Sequence, residues 1–349
     1  MHRKLFILLV ALTALLIGFP KSADAQGMVG AGSTFAHPVL ARWGQVFATL
    51  QGEGGAYVSA ETNLDYEPVG SFGGLMRVLQ GAANFAVSDV PLLPEEVDRH
   101  SLMQFPLVTG SVVVVTNLPG IKTGSLQLTG SVLADIYLGR ITRWSDPAIR
   151  MLNPELGLAD IAISVLRRLD GSGTTYHFAA FLAAASPDWR SRIGVNTDLQ
   201  WPVGVGAKGN RELADLVQAT PGSIGYVEAS QAARLGLSVT AVSNPAGRFL
   251  LPDSASIQAA TATASWDPAR HFYREIADPN GGDAYPIVAT AYVLMPRRAE
   301  ARSRTTIEFF RMCLTERSAD AVALGYVPLP EPAVRLVTEY WRTALGSSR

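Results

Sequence analysis

The stretch Arg167-Arg-Leu-Asp-Gly-Ser-Gly-Thr174 is the most informative segment of this chain. The apolar run before it, 161–166, predicts a strand, and the run after it, 174–184, has helical spacing. A helix that begins after such a turn presents unpaired N–H groups and a partial positive charge, which together favour an anion. The segment therefore predicts an α/β fold with an anion site at the end of a strand.

Arg168 and Asp170 lie two residues apart at this predicted strand end, so both side chains should project to one face. Their pairing would aim the guanidinium group at an oxyanion. Arg167 should face the other way and play a structural role. A simple salt bridge at a strand end is the alternative for the Arg168–Asp170 pair.

Two further segments repeat the combination of glycine, hydroxyl and helical pattern. They are Gly30-Ala-Gly-Ser-Thr-Phe35 and Gly70-Ser-Phe-Gly-Gly74. Glycine lets a backbone approach a ligand closely, and Ser or Thr adds a hydroxyl donor. Ser and Thr are also ordinary helix N-caps, so one such segment would mean little. Three of them make a small oxyanion the leading ligand hypothesis.

The N-terminus predicts an export signal. His2-Arg3-Lys4 gives a basic start, residues 5–19 form an apolar run, and Ala23-Asp24-Ala25 offers a small-residue cleavage site. The apolar run is short for a membrane span, so a retained membrane anchor is the weaker alternative. No Cys stands directly after the cleavage site, and we therefore expect no lipid anchor.

Length, charge and composition set further limits. Without the signal, this 349-residue chain still exceeds what one hydrophobic core usually holds, so two lobes are expected. Its formal net charge of −1 argues against nucleic acid as a partner. The only cysteine, Cys313, lies in an apolar run of helical period and should be a buried, inert thiol. The histidines show no metal-ligand spacing, and no metal or cofactor is expected.

Apolar runs alternate with helical patterns along the chain, which indicates an α/β architecture. Two of these runs, 107–115 and 287–294, lie far apart in sequence, and each follows a proline. If both cross between lobes, the chain builds lobe one, then lobe two, and returns to lobe one. Such a topology gives a double hinge around a central cleft.

The three glycine segments and several other motifs resemble the periplasmic phosphate-binding proteins of bacterial phosphate-specific ABC importers. The other matching motifs, which extend the resemblance over nearly the whole mature chain, are Ala86-Val-Ser-Asp-Val-Pro-Leu92, Gln104-Phe-Pro106, Asp135-Ile-Tyr-Leu-Gly139, Trp201-Pro-Val-Gly-Val-Gly206, Lys208-Gly-Asn210, Pro221-Gly-Ser-Ile-Gly-Tyr-Val-Glu228 and Asp283-Ala-Tyr-Pro-Ile287. The Arg-Arg-x-Asp-Gly-Ser-Gly-Thr motif is highly specific, and its occurrence together with Gly-Ala-Gly-x-Thr-Phe argues strongly against chance.

The resemblance implies an α/β, two-lobed periplasmic binding protein fold of type II, with hinged lobes around a central cleft. It implies a signal peptide at 1–25, lobe one at 26–108 and 287–349, and lobe two at 109–286. The implied protein is a monomer without catalytic activity that captures inorganic phosphate in the periplasm. It would deliver the phosphate to the membrane permease subunits of a phosphate ABC transporter.

Carried over residue by residue, the resemblance also implies a set of phosphate contacts, in which Phe35 acts through its backbone N–H. These contacts are Thr34, Phe35, Ser71, Asp89, Arg168, Ser172, Gly173 and Thr174. Asp170 would orient Arg168. Asp89 is unusual, because a carboxylate repels an anion unless that anion carries a proton for it to accept. Asp89 would therefore reject sulfate, and capping of a turn before Pro91 is its alternative role.

Two features depart from the family pattern. Phe72 stands where relatives often carry a small residue, and its ring would narrow the cleft or pack beneath it. The stretch 61–67 is unusually acidic for the neighbourhood of an anion site. If Asp65 or Glu67 faced the cleft, phosphate affinity would fall.

Three other functions stay open on the sequence alone. Gly204-Val-Gly-Ala-Lys-Gly209 fits a dinucleotide-binding fingerprint with Glu228 about twenty residues on, although Pro202 makes the preceding stretch a poor central strand. Ser172, with His177 nearby, would suit a secreted phosphatase or other hydrolase, although it lacks the G-x-S-x-G elbow. The same fold could instead bind sulfate, molybdate or arsenate. Of these, only arsenate is protonated like phosphate.

Overall fold

The computed structural model describes residues 27–52, 64–262, 265–274, 282–298 and 301–345, and the predicted signal peptide at 1–25 lies outside them. The strands are β1 (Met28–Gly32), β2 (Leu64–Glu67), β3 (Phe85–Ser88), β4 (Leu102–Thr116), β5 (Gln127–Leu128), β6 (Ser164–Arg168), β7 (Val205–Ala207), β8 (Ser223–Glu228), β9 (Ser238–Val239), β10 (Ala241–Ser243), β11 (Phe249–Leu250), β12 (Val288–Pro296) and β13 (Val327–Pro328).

The helices cover the sheet and connect its strands. They are α1 (His37–Gly52), α2 (Ser71–Leu79), α3 (Pro94–Arg99), α4 (Gly130–Tyr137), α5 (Pro147–Leu152), α6 (Gly173–Ala185), α7 (Pro187–Arg192), α8 (Gly209–Ala219), α9 (Ala229–Leu235), α10 (Ser254–Thr261), α11 (Ala301–Thr315), α12 (Ser318–Ala323) and α13 (Glu331–Ala344), with a 3₁₀ turn at Pro268–Arg270. The alternation of strands and helices confirms the predicted α/β class.

One long mixed sheet has the strand order β2-β1-β3-β12-β4-β8-β6-β7, and β13 and β9 also pair with β4. Strand β1 is parallel to β2 and β3. Strand β6 is parallel to β7 and β8. The intervening strands β12 and β4 run antiparallel to their neighbours. The sheet therefore contains two separate groups of parallel strands. A small sheet, β11-β10-β5, lies apart from it.

Strand β4 belongs to both halves of the long sheet. Its residues 102–111 pair with β12, and its residues 112–116 pair with β8. We call β2, β1, β3, β12 and residues 102–111 the first half-sheet. We call residues 112–116, β8, β6 and β7 the second half-sheet. All of β4 is buried, as its nearly continuous apolar sequence predicts.

The chain returns to the first half-sheet just before β12, where the N–H of Val112 donates to the carbonyl of Ile287 (2.9 Å). The apolar runs 107–115 and 287–294, which could each cross between lobes, overlap with β4 and β12. Strand β4 passes between the half-sheets, whereas β12 stays in the first half-sheet, where it pairs with β3 and with residues 102–111. The register between β12 and β4 shifts at Ala291/Tyr292, opposite Pro106. Proline has no N–H to donate, so it is tolerated within a sheet at such an irregularity.

Aromatic side chains pack against each half-sheet. Phe105 lies edge-on to Phe310 and Trp341, with ring centroids 5.6 Å and 5.1 Å away. Beside the second half-sheet, Phe178 of α6 stacks on Tyr226 of β8 at 4.3 Å. Such pairs add stabilisation beyond the area they bury. The Phe178–Tyr226 pair holds α6, which carries predicted site residues, against β8.

Cys313 is fully buried in α11, and burial raises the pKa of its thiol, as expected for an inert structural cysteine. Among the described residues, His, Cys, Asp and Glu form no cluster suited to a metal ion. In that same part of the chain, no helix combines the length and the apolarity of a membrane span.

Candidate anion-binding site

The predicted site residues from both half-sheets meet at the carboxyl ends of the parallel strands. Three strands lead into them: β1 into the segment 33–36, β3 into Asp89, and β6 into the segment 169–173. Open α/β sheets bind ligands at this edge, because helices begin there and their N–H groups point outward. The predicted contacts are all buried, namely Thr34, Phe35, Ser71, Asp89, Arg168, Ser172, Gly173 and Thr174.

Glycine segments bring the two half-sheets into direct contact. The N–H of Phe72, at the start of α2, donates to the carbonyl of Gly171 (3.4 Å). A Cβ built on Gly173 would lie 2.5 Å from the Cβ of Asp89 and 2.7 Å from Oγ of Ser71. Only a residue without a side chain fits at that distance. The structure is therefore closed around the site.

Arg168 is held by Asp170, as the strand pattern predicts. Its Nε donates to Oδ1 of Asp170 (2.7 Å), and its Nη2 donates to Oδ2. Only 1% of the Arg168 side chain is exposed. Its third nitrogen, Nη1, is buried without a hydrogen-bond partner among the described residues. The contact between the half-sheets therefore contains a cationic N–H group that is buried and still able to donate.

The groups around the Arg168–Asp170 pair keep Asp170 ionised and fix the orientation of Arg168. Burial raises the pKa of Asp170, but the hydrogen bonds and charge of Arg168 and the N–H of Gly209 (2.9 Å) outweigh it and hold the pKa below its ordinary value. Arg167 lies on the other face, where its Nη1 donates to the carbonyl of Arg168 (3.2 Å). The opposite orientation of the two arginines confirms the predicted strand face.

Asp89 is buried at the contact between the half-sheets, where polar groups bond to its side chain and its backbone. Its Oδ1 accepts a hydrogen bond from the Ser33 hydroxyl, and its Oδ2 lies 3.4 Å from the Ser71 hydroxyl. Its carbonyl accepts from Nε2 of His177 (2.7 Å). Burial lowers the pKa of His177 to about 4, so the imidazole is neutral with its proton on Nε2. The Asp89 carboxylate thus accepts hydrogen bonds from the hydroxyls of Ser33 and Ser71.

Burial raises the pKa of Asp89 to about 6, although hydrogen bonds from Ser33 and Ser71 and the charge of Arg168 oppose the rise. Because the ordinary value is 3.8, the closed, ligand-free form binds this proton more tightly than the unfolded chain does. The stabilisation from the protonated carboxyl is present at acid pH. It is lost as the pH rises through about 6, since the buried carboxylate must then ionise.

Asp89→Asn is therefore expected to stabilise the ligand-free protein more at pH 8 than at pH 4.5. The difference in pKa corresponds to about 3 kcal/mol of unfolding free energy at most. The measurement is the melting temperature of phosphate-stripped wild type and variant at both pH values, so that all other titrating groups cancel in the difference. A gap between the two proteins that does not change with pH would contradict the burial argument.

Helix N-termini add further donors to the site. The Ser172 hydroxyl caps α6 by accepting from the N–H of Thr175 (3.1 Å). The Ser33 hydroxyl accepts from the N–H of Ala36 (2.9 Å) just before α1. Phe35 is buried, and its carbonyl accepts from the Tyr326 hydroxyl (2.6 Å), so its backbone is held in place. Each helix start carries a partial positive charge that stabilises an anion.

Sequence reasoning missed Asn210 as a site residue. Its buried Nδ2 donates to the Thr34 hydroxyl (2.9 Å) and to the Thr174 hydroxyl (3.1 Å). The sequence signal was the motif Lys208-Gly-Asn210, which contributed to the family resemblance but suggested no role. Ser33 likewise lies in the glycine segment 30–35, and its sequence pattern predicts no role in the site.

The two departures from the family pattern do not obstruct the site. Phe72 is 57% exposed, and a Cβ on Gly171 would lie 2.8 Å from the Cβ of Phe72, so this residue covers the junction from outside. Asp65 and Glu67 are both exposed, and Glu67 pairs with Arg77 (2.9 Å). Their carboxylates face solvent, where water and salt screen them from the site.

The glycine motif at 204–209 lacks the geometry of a dinucleotide fingerprint. That fingerprint needs a strand before the glycines, whereas here strand β7 (Val205–Ala207) lies inside the motif. Glu228, the corresponding acidic residue, instead caps α9 by accepting from the N–H of Ser230 (2.7 Å). The motif therefore forms an edge strand and a helix start.

Comparison with protein families identifies the class of this protein, because a model of the PBP superfamily domain matches residues 20–311. The fold and the enclosed site agree with that class. Within that class, the chain belongs to the PstS family of phosphate-binding proteins. It is 39% identical to the phosphate-binding protein PstS of Xylella fastidiosa (strain Temecula1), over 92% of this chain and 87% of the relative. It is 35% identical to PstS of Pasteurella multocida (strain Pm70), over 95% and 94%.

Solved structures support the fold assignment. A phosphate-binding protein from Stenotrophomonas maltophilia superimposes with a TM-score of 0.65 at 22% identity, covering 90% of this chain and 93% of that one. The high-affinity periplasmic phosphate-binding protein PfluDING gives a TM-score of 0.67 at 20% identity, with the same coverage. These matches confirm the predicted α/β periplasmic binding protein fold. Because the family consists of binding proteins, the dinucleotide-enzyme and hydrolase alternatives are set aside.

Proposed function

We propose that this protein captures inorganic phosphate between its two half-sheets and delivers it to the permease subunits of a phosphate ABC transporter. The observation that carries the proposal is the buried Arg168, whose Nη1 has no partner among the described residues. A buried cationic donor costs free energy unless an anion or acceptor pairs with it. The relatives named above are phosphate-binding proteins, and one of the similar structures contains phosphate.

The other groups of the site suit a small, partly protonated oxyanion. The hydroxyls of Thr34 and Thr174 are O–H donors, and the N-termini of α1, α2 and α6 supply backbone donors. The Ser71 hydroxyl, which lies 3.4 Å from Oδ2 of Asp89, would turn its proton from that carboxylate to the anion on binding. Asp89 is the exception, since an ionised carboxylate can only accept. Hydrogen phosphate carries a proton that Asp89 would accept, whereas sulfate would place an oxygen lone pair against it. The site therefore favours phosphate over sulfate.

In this proposal the two half-sheets belong to two hinged lobes, with lobe one formed by 26–108 and 287–349 and lobe two by 109–286. Residues 109–111, which pair with β12, lie at the crossing between the lobes. Both lobes supply ligand groups, so phosphate stabilises the closed form more than the open one. The permease would recognise the closed form. The basic and apolar N-terminal segment would direct export to the periplasm, with cleavage after Ala25 and without a lipid anchor, and the mature protein would act as a monomer.

Equilibrium dialysis tests the binding function. Phosphate-stripped protein is dialysed against radiolabelled phosphate, with and without a large excess of sulfate. We expect one bound phosphate per chain and no displacement by sulfate. Failure to bind phosphate would refute the function, and equal binding of both anions would refute the role of Asp89.

Asp89→Asn is expected to change anion selectivity as well as stability. The amide is nearly isosteric, and it can turn its NH₂ toward a fully deprotonated anion. Sulfate should therefore gain relative to phosphate, because the carboxylate that opposes sulfate is gone while Arg168 remains. The measurement is the ratio of sulfate to phosphate dissociation constants at fixed pH and ionic strength. An unchanged ratio would mean that Asp89 does not meet the ligand proton.

A further inference from the structure

Asn210 links the two half-sheets inside the site. It lies at the start of α8 (Gly209–Ala219), and its side chain is fully buried. Its Nδ2 donates to Oγ1 of Thr34 (2.9 Å), which follows β1, and to Oγ1 of Thr174 (3.1 Å), which lies in α6. A single amide therefore contacts one proposed phosphate-binding hydroxyl from each half-sheet.

The backbone fixes the orientation of this amide. Oδ1 of Asn210 accepts from the N–H of Glu228 (3.0 Å). Because an N–H group cannot accept a hydrogen bond, the oxygen must face Glu228 and the nitrogen must face the two hydroxyls. Each proton of the amide nitrogen is thus committed to one threonine.

This arrangement decides where the hydroxyl protons go. Thr34 Oγ1 accepts from Nδ2 of Asn210 and also lies 3.3 Å from the backbone N–H of the same residue. A hydroxyl has one proton and two lone pairs, so the Thr34 proton must point away from Asn210. The same holds for Thr174, and neither hydroxyl donates to a protein acceptor in the described part of the chain.

We infer that Asn210 is a positioning residue, which directs the Thr34 and Thr174 hydroxyls to act as donors toward the bound anion. The inference rests on the proposed phosphate-binding function. A hydroxyl can turn either its proton or a lone pair toward a ligand. The hydrogen bonds from Asn210 explain why the Thr34 and Thr174 hydroxyls donate to the anion, although the Asp89 carboxylate in the same site is an acceptor. Asn210 would not itself touch the anion.

Asn210→Asp is the direct test, because it reverses these hydrogen bonds at almost constant shape. One carboxylate oxygen of the variant still accepts from the backbone N–H of Glu228, while the other accepts the protons of the two threonine hydroxyls. Those hydroxyls then turn their lone pairs toward the anion. We expect phosphate to bind at least about 100-fold more weakly, as two donors to a charged ligand are lost. Circular dichroism establishes that the variant is folded.

A double-mutant cycle with Thr34→Val separates reversed hydrogen bonds from simple charge repulsion. In the wild-type background, loss of the Thr34 hydroxyl should weaken phosphate binding by about tenfold or more. In the Asn210→Asp background it should cost less than about twofold or even restore affinity, because that hydroxyl no longer donates to the ligand. An equal loss in both backgrounds would overturn the inference.

Neutron diffraction from deuterium-exchanged wild-type crystals grown with phosphate tests the direction of the hydrogen bond between Asn210 and Thr34. This test works even if Asn210→Asp binds phosphate too weakly for the double-mutant cycle. The deuteron between Asn210 and Thr34 is expected on Nδ2, and a deuteron on Thr34 Oγ1 pointing at Asn210 would overturn the inference. Wild-type protein that binds no phosphate would instead refute the proposed function. Wild-type binding with an additive cycle would refute the positioning role alone.

Discussion

Arg168→Ala is expected to weaken phosphate binding by at least about a hundredfold. Arg168 is the buried cation of the site, and hydrogen bonds to charged groups contribute about 1.5–3 kcal/mol each. The substitution also leaves the carboxylate of Asp170, which has lost its partner, beside an anionic ligand. The measurement is calorimetric titration of phosphate-stripped protein at fixed pH and ionic strength.

Arg167→Ala is the matched control, since it removes an adjacent arginine from the opposite face of β6. Its Nη1 donates to the carbonyl of Arg168 rather than toward the site, so phosphate affinity should change far less. Arg168→Lys is a second variant, which tests binding if Arg168→Ala does not fold. It keeps the positive charge that neutralises Asp170 but loses the planar guanidinium group. It should fold and still bind phosphate more weakly. Equal effects from Arg167→Ala and Arg168→Ala would contradict the assigned strand face.

Gly173→Ala should give the second large loss of binding, through sterics rather than charge. The added Cβ would meet the Cβ of Asp89 at 2.5 Å, its Oδ2 at 2.6 Å and Oγ of Ser71 at 2.7 Å. Overpacking of this kind typically costs about 1–3 kcal/mol, which corresponds to about 5- to 150-fold in affinity. The cost falls on the closed form, because those neighbours belong to the other half-sheet. The measurement is phosphate affinity by the same titration.

Folding should not suffer from Gly173→Ala, because the residue is the first of α6 and alanine is the better helix former. Gly157→Ala is the matched control: a Cβ there meets no atom within 4 Å among the described residues. We expect its phosphate affinity to equal that of wild type. Full affinity in Gly173→Ala would mean that phosphate binding does not require the close approach seen here.

Local pattern was enough to predict the parts of the site that are local in sequence. Arg168 and Asp170 share a face because side chains alternate along a strand, and the starts of α2 and α6 follow from glycine and hydroxyl residues before apolar periodicity. The family resemblance added Asp89, whose neighbours in sequence carry no sign of an anion site, and it singled out Thr34 within the glycine segment 30–35. Their role in phosphate binding stays a prediction, although the structure brings them together.

Long-range contacts could not be predicted in this way. Asn210 meets Thr34 across 176 positions of sequence, and His177 meets Asp89 across 88. Nothing in the composition of either neighbourhood indicates such a pair, because it arises only when the two half-sheets approach. The position of strand β12 could not be predicted either, because its apolar sequence suits both a strand that crosses between the half-sheets and one that lies inside a half-sheet. Only its pairing with β3 shows that it lies inside the first half-sheet.

A crystal structure of the phosphate-saturated protein tests the central claim most directly. We expect one phosphate enclosed between the half-sheets, with Nη1 of Arg168 donating to one oxygen and the carboxylate of Asp89 accepting from another. Hydroxyls of Thr34 and Thr174 should lie within hydrogen-bond distance of the same ion. Phosphate bound elsewhere, or bound here without contact to Arg168 and Asp89, would contradict the account.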